Sequence, residues 1–297
     1  MTTPQWSNRM YFAHGAEASP FFFHGKEYYL LNISAWHQDA PAGTPDHGVV
    51  VDAATHERGA ARVLEGHYFI SAFERAGRVY CFGIDLRAAE QNWASSKISL
   101  SWSDDLVHWS EPQTVIEHPQ GAVFNTATIH DGRRFVLVLE VRDPGRPFEF
   151  IFFESQDLVH WRQLPGASLG AQMRYIGAPA MYYFPDQKKA YVTYLHEFDN
   201  PDTPGLLNYD TRLARTADYI NWEFAAQPVI SPDYGHRLAL VGHPEVFEIN
   251  VSDAEFIEAG GKVKIYACGG NQLGVHDYFV AECDGTLEEL FTGMFES

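Results

Sequence analysis

Histidine and glutamate side chains occur close together at three places that are far apart in the sequence. Each place holds one histidine and one glutamate within three residues of each other. The pairs are His14 with Glu17, Glu65 with His67, and His243 with Glu245. A group that titrates near neutral pH beside a carboxylate can move a proton and activate water, which is general acid–base chemistry. The pairs can act together only if the fold brings these distant segments to one place.

A phrase that recurs three times predicts a fold of this kind. The copies are Ser103–Trp109, Ser155–Trp161 and Thr216–Trp222. Each copy has an aspartate four residues before its tryptophan. A short acidic side chain accepts backbone N–H bonds in a tight turn, and an indole ring fills the space between neighbouring sheets. Recurrence at roughly 50 to 60 residues is typical of an array of similar supersecondary units.

The segments between the copies have the composition of β-strands. Five of them are rich in β-branched or aromatic residues, follow a turn, and have another apolar run ahead of that turn. These strands are Lys26–Leu31, Arg78–Phe82, Arg133–Val141, Lys189–Tyr194 and Lys262–Ala267. Five such units predict an all-β protein, a five-bladed β-propeller. Because no linker divides the chain, we expect the propeller to form one domain over residues 1–297. A two-sheet sandwich is the alternative, and it does not explain the repeat.

Composition and charge exclude several classes of partner. The 297 residues carry a formal net charge of −18, which would repel nucleic acid and anionic membranes. Three cysteines are too few for a disulfide scaffold and lack the spacing of a zinc site. We expect a cytoplasmic location, because the chain shows neither a signal peptide nor a long apolar run. Oligomeric state is not readable from the sequence.

The repeated phrase resembles the Ser-x-Asp-Leu-x-x-Trp turn of five-bladed propeller glycosidases. These are the arabinanase and β-xylosidase family, glycoside hydrolase family 43, and its invertase-like relatives. The resemblance covers roughly residues 10 to 290 and implies a central pocket at the starts of the innermost strands. We expect the three histidine–glutamate pairs to lie at the starts of blades one, two and five, where they would converge on this pocket. The resemblance also implies catalytic acids there, but Ser19-Pro20 stands in place of an Asp-Pro and Ile176–Pro179 in place of a Glu-Gly-Pro. Asn125 stands near the auxiliary aspartate, whereas Gly242-His243 matches a late Gly-His pair.

The usual catalytic carboxylates therefore look substituted, and the resemblance implies a non-standard site. We predict that Glu17 and Glu245 supply the base and the acid, in either order, and that His243 lies on the axis. This site would release a terminal sugar from a short oligosaccharide. No cofactor is required, and a single metal ion near His243, calcium or a transition metal, is the one candidate. The predicted substrate-binding residues are His14, Ser19, Glu65, His67, Asn125, Arg174 and Tyr175.

Two alternatives stay open at this point. One is β-elimination on a uronate-containing sugar, with Arg174 neutralising the carboxylate. The other is a propeller that binds carbohydrate without chemistry, because a site can be erased while the blades persist. We interpret Arg142-Asp143-Pro144 as a turn, and His108 and His160 as structural parts of the repeated phrase.

Overall fold

Short antiparallel sheets follow one another along the chain, as the five predicted strand–turn–strand units require. The computed structural model describes residues 4–14, 17–34, 43–87, 95–235, 237–238, 243–271 and 276–296, with the backbone alone at 13–14, 237–238 and 243–246. Blade one contains β2 (Ala18–Phe23), β3 (Lys26–Ile33) and β4 (His47–Asp52). Blade two contains β5 (His67–Arg75), β6 (Arg78–Asp85), β7 (Lys97–Ser103) and β8 (Gln113–Glu117). Blade three contains β9 (Ala122–His130), β10 (Phe135–Arg142), β11 (Glu149–Ser155) and β12 (Arg162–Leu169).

The last two blades have the same order of strands. Blade four contains β13 (Ile176–Phe184), β14 (Lys189–Phe198), β15 (Asn208–Thr216) and β16 (Glu223–Phe224). Blade five contains β19 (Asn250–Ala259), β20 (Lys262–Gly270) and β21 (His276–Asp284), and β1 (Met10–His14) pairs with β21 at its outer edge. Between them, β17 (Arg237–Leu238) pairs with β18 (His243–Phe247), and a short helix α1 (Leu287–Gly293) follows β21.

The blades close into a ring. Their innermost strands β2, β5, β9, β13 and β19 contact each other in that order, and β19 also contacts β2. The N-terminal strand β1 supplies the outer strand of blade five, which joins the two ends of the chain. The predicted all-β, five-bladed β-propeller is therefore confirmed.

Blade five begins later than predicted. The strand that starts at His243 is β18, which pairs with β17 and not with β20. The innermost strand is β19, which starts at Asn250. Between the two strands Glu248 is fully buried, and it accepts a hydrogen bond from the backbone N–H of Asp233 and from the hydroxyl of Tyr11. The prediction that His243 and Glu245 open the innermost strand is thus wrong.

The repeated phrase forms the same turn in all three copies. In the second copy, Asp157 Oδ1 accepts the backbone N–H groups of Val159 at 3.0 Å and His160 at 2.8 Å. His160 Nδ1 lies 2.7 Å from the other carboxylate oxygen, which agrees with the structural role expected for this histidine. The ring of Trp161 packs edge-on against Phe82 of the preceding blade, with ring centroids 5.9 Å apart. The phrase therefore joins the third and fourth strands of a blade and packs that blade against its neighbour.

We expect Asp157→Ala to lower the free energy of unfolding by about 1–2 kcal/mol, because two backbone N–H groups lose their acceptor. Urea denaturation followed by tryptophan fluorescence measures this. The matched control is Gln156→Ala at the exposed neighbouring position, which makes no such bond. Equal stability of the two variants would contradict a stabilising role for the aspartate.

Candidate functional site

The innermost strands carry β-bulges at one level of the ring. In β5, β13 and β19 two residues oppose one residue on the next strand, and the first of the two has positive φ: Phe69 at 51°, Ala178 at 50° and Asp253 at 53°. Strand β9 has a bulge at the same level, between Val123 and Thr126. A bulge turns side chains away from the regular alternation, and left-handed residues other than glycine concentrate at functional sites. The bulges therefore mark the centre of the ring as the candidate site.

A cleft of about 410 Å³ opens at this level. This volume lies within the range of small-ligand sites. Its polar floor carries Glu17, Asn125, Glu140 and Asp253. Beneath the floor lies a space of about 20 Å³, also lined by Glu255, which is enough for one water molecule. The cleft thus combines a carboxylate-rich floor with room for a small solute.

Glu140 is the central carboxylate of the floor, although it projects from the second strand of blade three. Its Oε2 accepts the amide of Asn125 at 3.1 Å and the backbone N–H of Ala178 at 3.0 Å. These donors come from the two segments in which the resemblance implies family carboxylates. Burial raises the pKa of Glu140 to about 7, since the side chain is only 3% exposed.

Gly177 is required next to this carboxylate. A Cβ atom at Gly177 would lie 3.2 Å from Glu140 Oε1 and 2.6 Å from the hydroxyl of Tyr175. Both atoms would have to move. The glycine therefore lets blade four approach Glu140 closely, and it leaves Tyr175 in the wall of the cleft.

The other carboxyl groups of the floor come from blades one and five. Burial, followed by the charges of Asp253, Glu140 and Glu255, raises the pKa of Glu17 well above its usual value. Burial raises the pKa of Asp253 to about 6 and that of Glu255 to about 8. Ser19 donates a hydrogen bond to Glu255 Oε2 at 2.9 Å. The charge of Asp253 in turn raises the pKa values of Glu17, Glu140 and Glu255, so ionisation of Asp253 favours the protonated forms of its neighbours.

Aromatic rings form a wall along one side of the cleft. Phe69 contacts Phe124 with ring centroids 5.9 Å apart, and Phe124 contacts Phe148 at 5.1 Å. Phe148 in turn contacts Tyr175 at 5.2 Å. The rings come from blades two, three and four, and all four line the cleft. We call Phe69, Phe124, Phe148 and Tyr175 the aromatic wall.

The structure brings part of the predicted set together. Glu17, Ser19 and Asn125 meet in the cleft or the space beneath it, and Tyr175 lies in the aromatic wall. The side chains of His14, His243 and Glu245 lie outside the described residues, so their roles stay predictions. The metal ion expected near His243 also stays a prediction. Among the described side chains, no group of three potential ligands has the arrangement of a metal site.

Three predicted residues do not line the cleft. His67 is fully buried, with Nδ1 3.1 Å from the carbonyl of Glu65, and the side chain of Glu65 is 52% exposed beside Arg62. Arg174 is paired with Glu197 and Asp199 on an exposed surface. The guanidinium that the β-elimination alternative needed is therefore already neutralised elsewhere.

Sequence reasoning missed Glu140, Asp253 and Glu255. Glu140 had a visible signal, because it is the one charged residue in the apolar run Phe135–Val141. A carboxylate in such a run must be buried, and buried carboxylates are costly unless they serve a function. The innermost strand of blade five was predicted to start at His243, but it starts seven residues later, at Asn250. Asp253 and Glu255, which lie near the true start, were therefore not recognised as residues of the site.

Comparison with known proteins bears on the fold. No protein-family model and no curated protein matches the chain. Among solved structures, a glycoside hydrolase is similar over 96% of this chain and 94% of its own, with 13% identity and a TM-score of 0.64. A xylan β-1,4-xylosidase from Bacillus halodurans C-125 is similar over 96% of this chain and 55% of its own, with 14% identity and a TM-score of 0.65.

A third structure has nearly the same length. The α-L-arabinanase of Cellvibrio cellulosa, complexed with arabinohexaose, is similar over 96% of this chain and 99% of its own, with 9% identity and a TM-score of 0.59. Within the described residues, no helix has the length and apolar character to cross a membrane. The propeller of this chain is therefore the fold of glycoside hydrolases of known structure, and at these identities the likeness is one of fold.

Proposed function

We propose that this protein is a glycoside hydrolase that releases a terminal sugar from a short oligosaccharide. One observation carries the proposal: carboxyl groups from blades one, three and five meet on the floor of one cleft beneath an aromatic wall. Glycosidic cleavage needs a pair of carboxyl groups, and sugar rings stack on aromatic side chains. The similar structures that bear glycosidase names support the same reaction class.

Glu140 is the proposed proton donor. Its pKa of about 7 keeps much of the population protonated at neutral pH, which suits a general acid. Because Oε2 already accepts two hydrogen bonds, the proton belongs on Oε1. From there it would pass to the oxygen of the leaving group as the glycosidic bond breaks.

Asp253 is the proposed base. With a pKa of about 6, it is mostly ionised at pH 7, and its charge adds to burial in raising the pKa of its neighbour Glu17 well above the usual value. Asp253 also lines the water-sized space beneath the floor. The carboxylate would take a proton from water as that water attacks the sugar. Glu17, the residue predicted from sequence, lies beside Asp253 on the floor, where its raised pKa favours the protonated form.

These pKa values predict a narrow, bell-shaped pH dependence of kcat/KM. Activity needs ionised Asp253, so it falls as the pH drops below about 6. It also needs protonated Glu140, so it falls as the pH rises above about 7. Initial rates between pH 4 and 9, in buffers of constant ionic strength, measure both limbs. A profile that stays flat from pH 5 to 9 would contradict the two assignments.

A panel of substrates tests the reaction class itself. The purified protein is incubated with aryl glycosides and short oligosaccharides of pentoses and hexoses, and products are identified by chromatography and ¹H NMR. Release of a free terminal sugar supports the proposal, and the first anomer formed distinguishes inversion from retention. Binding without turnover across the panel would overturn it in favour of a carbohydrate-binding propeller. An unsaturated product absorbing in the ultraviolet would overturn it in favour of β-elimination.

A further inference from the structure

A cationic side chain that has no part in the proposed reaction lines the cleft. Arg142 is the last residue of β10, two residues after Glu140, and its exposed side chain lines the cleft. Alternate residues of a strand lie on one face and about 7 Å apart. Arg142 therefore lies on the same face of the strand as the proposed proton donor, and it is exposed where Glu140 is buried.

The aromatic wall holds the guanidinium of Arg142 in place. The Cζ atom of Arg142 lies 5.5 Å from the centroid of the Phe148 ring, which is a cation–π contact. Phe148 is itself packed between Phe124 and Tyr175. Stacking covers one face of the guanidinium and leaves the N–H edges for a ligand.

No carboxylate in the described part of the chain forms an ion pair with Arg142. The protein has 39 acidic and 21 basic residues, so partners are abundant, and Arg78, Arg174 and Arg215 each have one. The adjacent Asp143 instead lies 2.8 Å from Nε2 of His118. Arg142 is thus an oriented cation at the mouth of a cleft whose floor is acidic.

We propose that Arg142 recognises an anionic group on the sugar, so that the substrates are acidic saccharides bearing a carboxylate or a sulfate ester. This inference rests on the proposed hydrolase function and assigns its substrate class. A planar guanidinium binds carboxylate or sulfate oxygens through two parallel N–H bonds, which neutral hydroxyl groups do not match. The cation also offsets the repulsion that an anion meets above the carboxyl groups of the floor.

The test compares matched substrates that differ in one group. Aryl hexosides, the corresponding hexuronides and the 6-sulfated hexosides are assayed with wild-type protein, Arg142→Gln and Arg142→Lys. We expect the acidic-to-neutral ratio of kcat/KM to exceed one in the wild type and to fall about 30-fold in Arg142→Gln, as for loss of a charged hydrogen-bonded pair. The ratio should fall less in Arg142→Lys, since lysine keeps the positive charge but cannot donate two parallel N–H bonds. A fall of the ratio with the hexuronides identifies a carboxylate as the recognised group, and a fall with the 6-sulfated hexosides identifies a sulfate ester.

Arg133→Gln is the matched control, because Arg133 is exposed and lies outside the cleft. It should leave the ratio unchanged. An unchanged ratio in Arg142→Gln, or an equal loss on neutral and acidic substrates, would overturn the proposal. If no glycoside is hydrolysed, calorimetric titration with a hexuronate disaccharide and its neutral counterpart separates the two ideas. Tighter binding of the uronate, lost in Arg142→Gln, would support recognition of the anionic group although the hydrolase function has failed. Equal binding of the two disaccharides would overturn the recognition as well.

Discussion

Replacing Glu140 with glutamine is expected to lower kcat/KM about 1,000-fold on substrates with a poor leaving group. Glutamine keeps the size and the hydrogen bonds to Asn125 and Ala178 but has no acidic proton. On a dinitrophenyl glycoside, whose leaving group needs no protonation, the loss should be tenfold or less. The comparison of the two substrates by initial-rate kinetics identifies the proton donor. Glu65→Gln, at an exposed carboxylate outside the cleft, is the control and should match the wild type.

The stability of Glu140→Gln checks that lost activity is not lost folding. The pKa of this carboxyl rises from 4.5 to about 7 on folding, so the folded state holds the proton more tightly between these values. Wild-type stability therefore falls as pH rises through this window, whereas the glutamine variant lacks this loss. Between pH 5 and pH 8, the free energy of unfolding of the variant should rise by on the order of 2 kcal/mol relative to that of the wild type. A difference in stability between variant and wild type that is the same at both pH values would contradict this account.

Asp253→Asn is expected to lower kcat/KM about 1,000-fold on every substrate, including those with good leaving groups. The base acts on water, so a better leaving group does not replace it. Added azide should restore turnover, because an anionic nucleophile needs no deprotonation, and mass spectrometry would detect the glycosyl azide. Asp253 lies at a bulge with positive φ, which asparagine tolerates, so the backbone should be retained.

The matched control for this variant is Glu255→Gln. Glu255 lines the water-sized space but not the cleft, and Ser19 already donates to it. It should cost much less activity than Asp253→Asn. If the loss in Asp253→Asn vanished on dinitrophenyl glycosides, while that in Glu140→Gln did not, the two roles would have to be exchanged.

The fold was predictable because its signals are local. The turn at Asp157 is complete within a few residues, and its tryptophan contacts the neighbouring blade, so one short phrase encodes both an outer turn of a blade and its packing. Repetition multiplies this signal across the chain. The helix α1 at Leu287–Gly293 escaped prediction, because seven residues are too few to establish a helical period.

The site was predictable only in part, because its geometry depends on bulges. One extra residue in a strand reverses which side chains point inward, and no pattern of alternation contains it. Ser19 and Asn125 stand at positions that the resemblance indicated, and Glu17, which was chosen because it is paired with His14 in the sequence, lies beside them. Glu140 was missed because the resemblance directs attention to innermost strands, whereas this carboxylate reaches the floor from the second strand.

Ring closure by β1 makes the carboxyl-rich floor of the cleft a property of the complete ring. Glu17 directly precedes β2, and Asp253 lies in β19. These two strands contact each other at the seam where the ring closes. The charge of Asp253 raises the pKa of Glu17 across this seam, and the pairing of β1 with β21 holds the seam closed. The raised pKa of Glu17 therefore depends on ring closure. Local opening at the N-terminal strand would separate these carboxyl groups while the other four blades keep their structure.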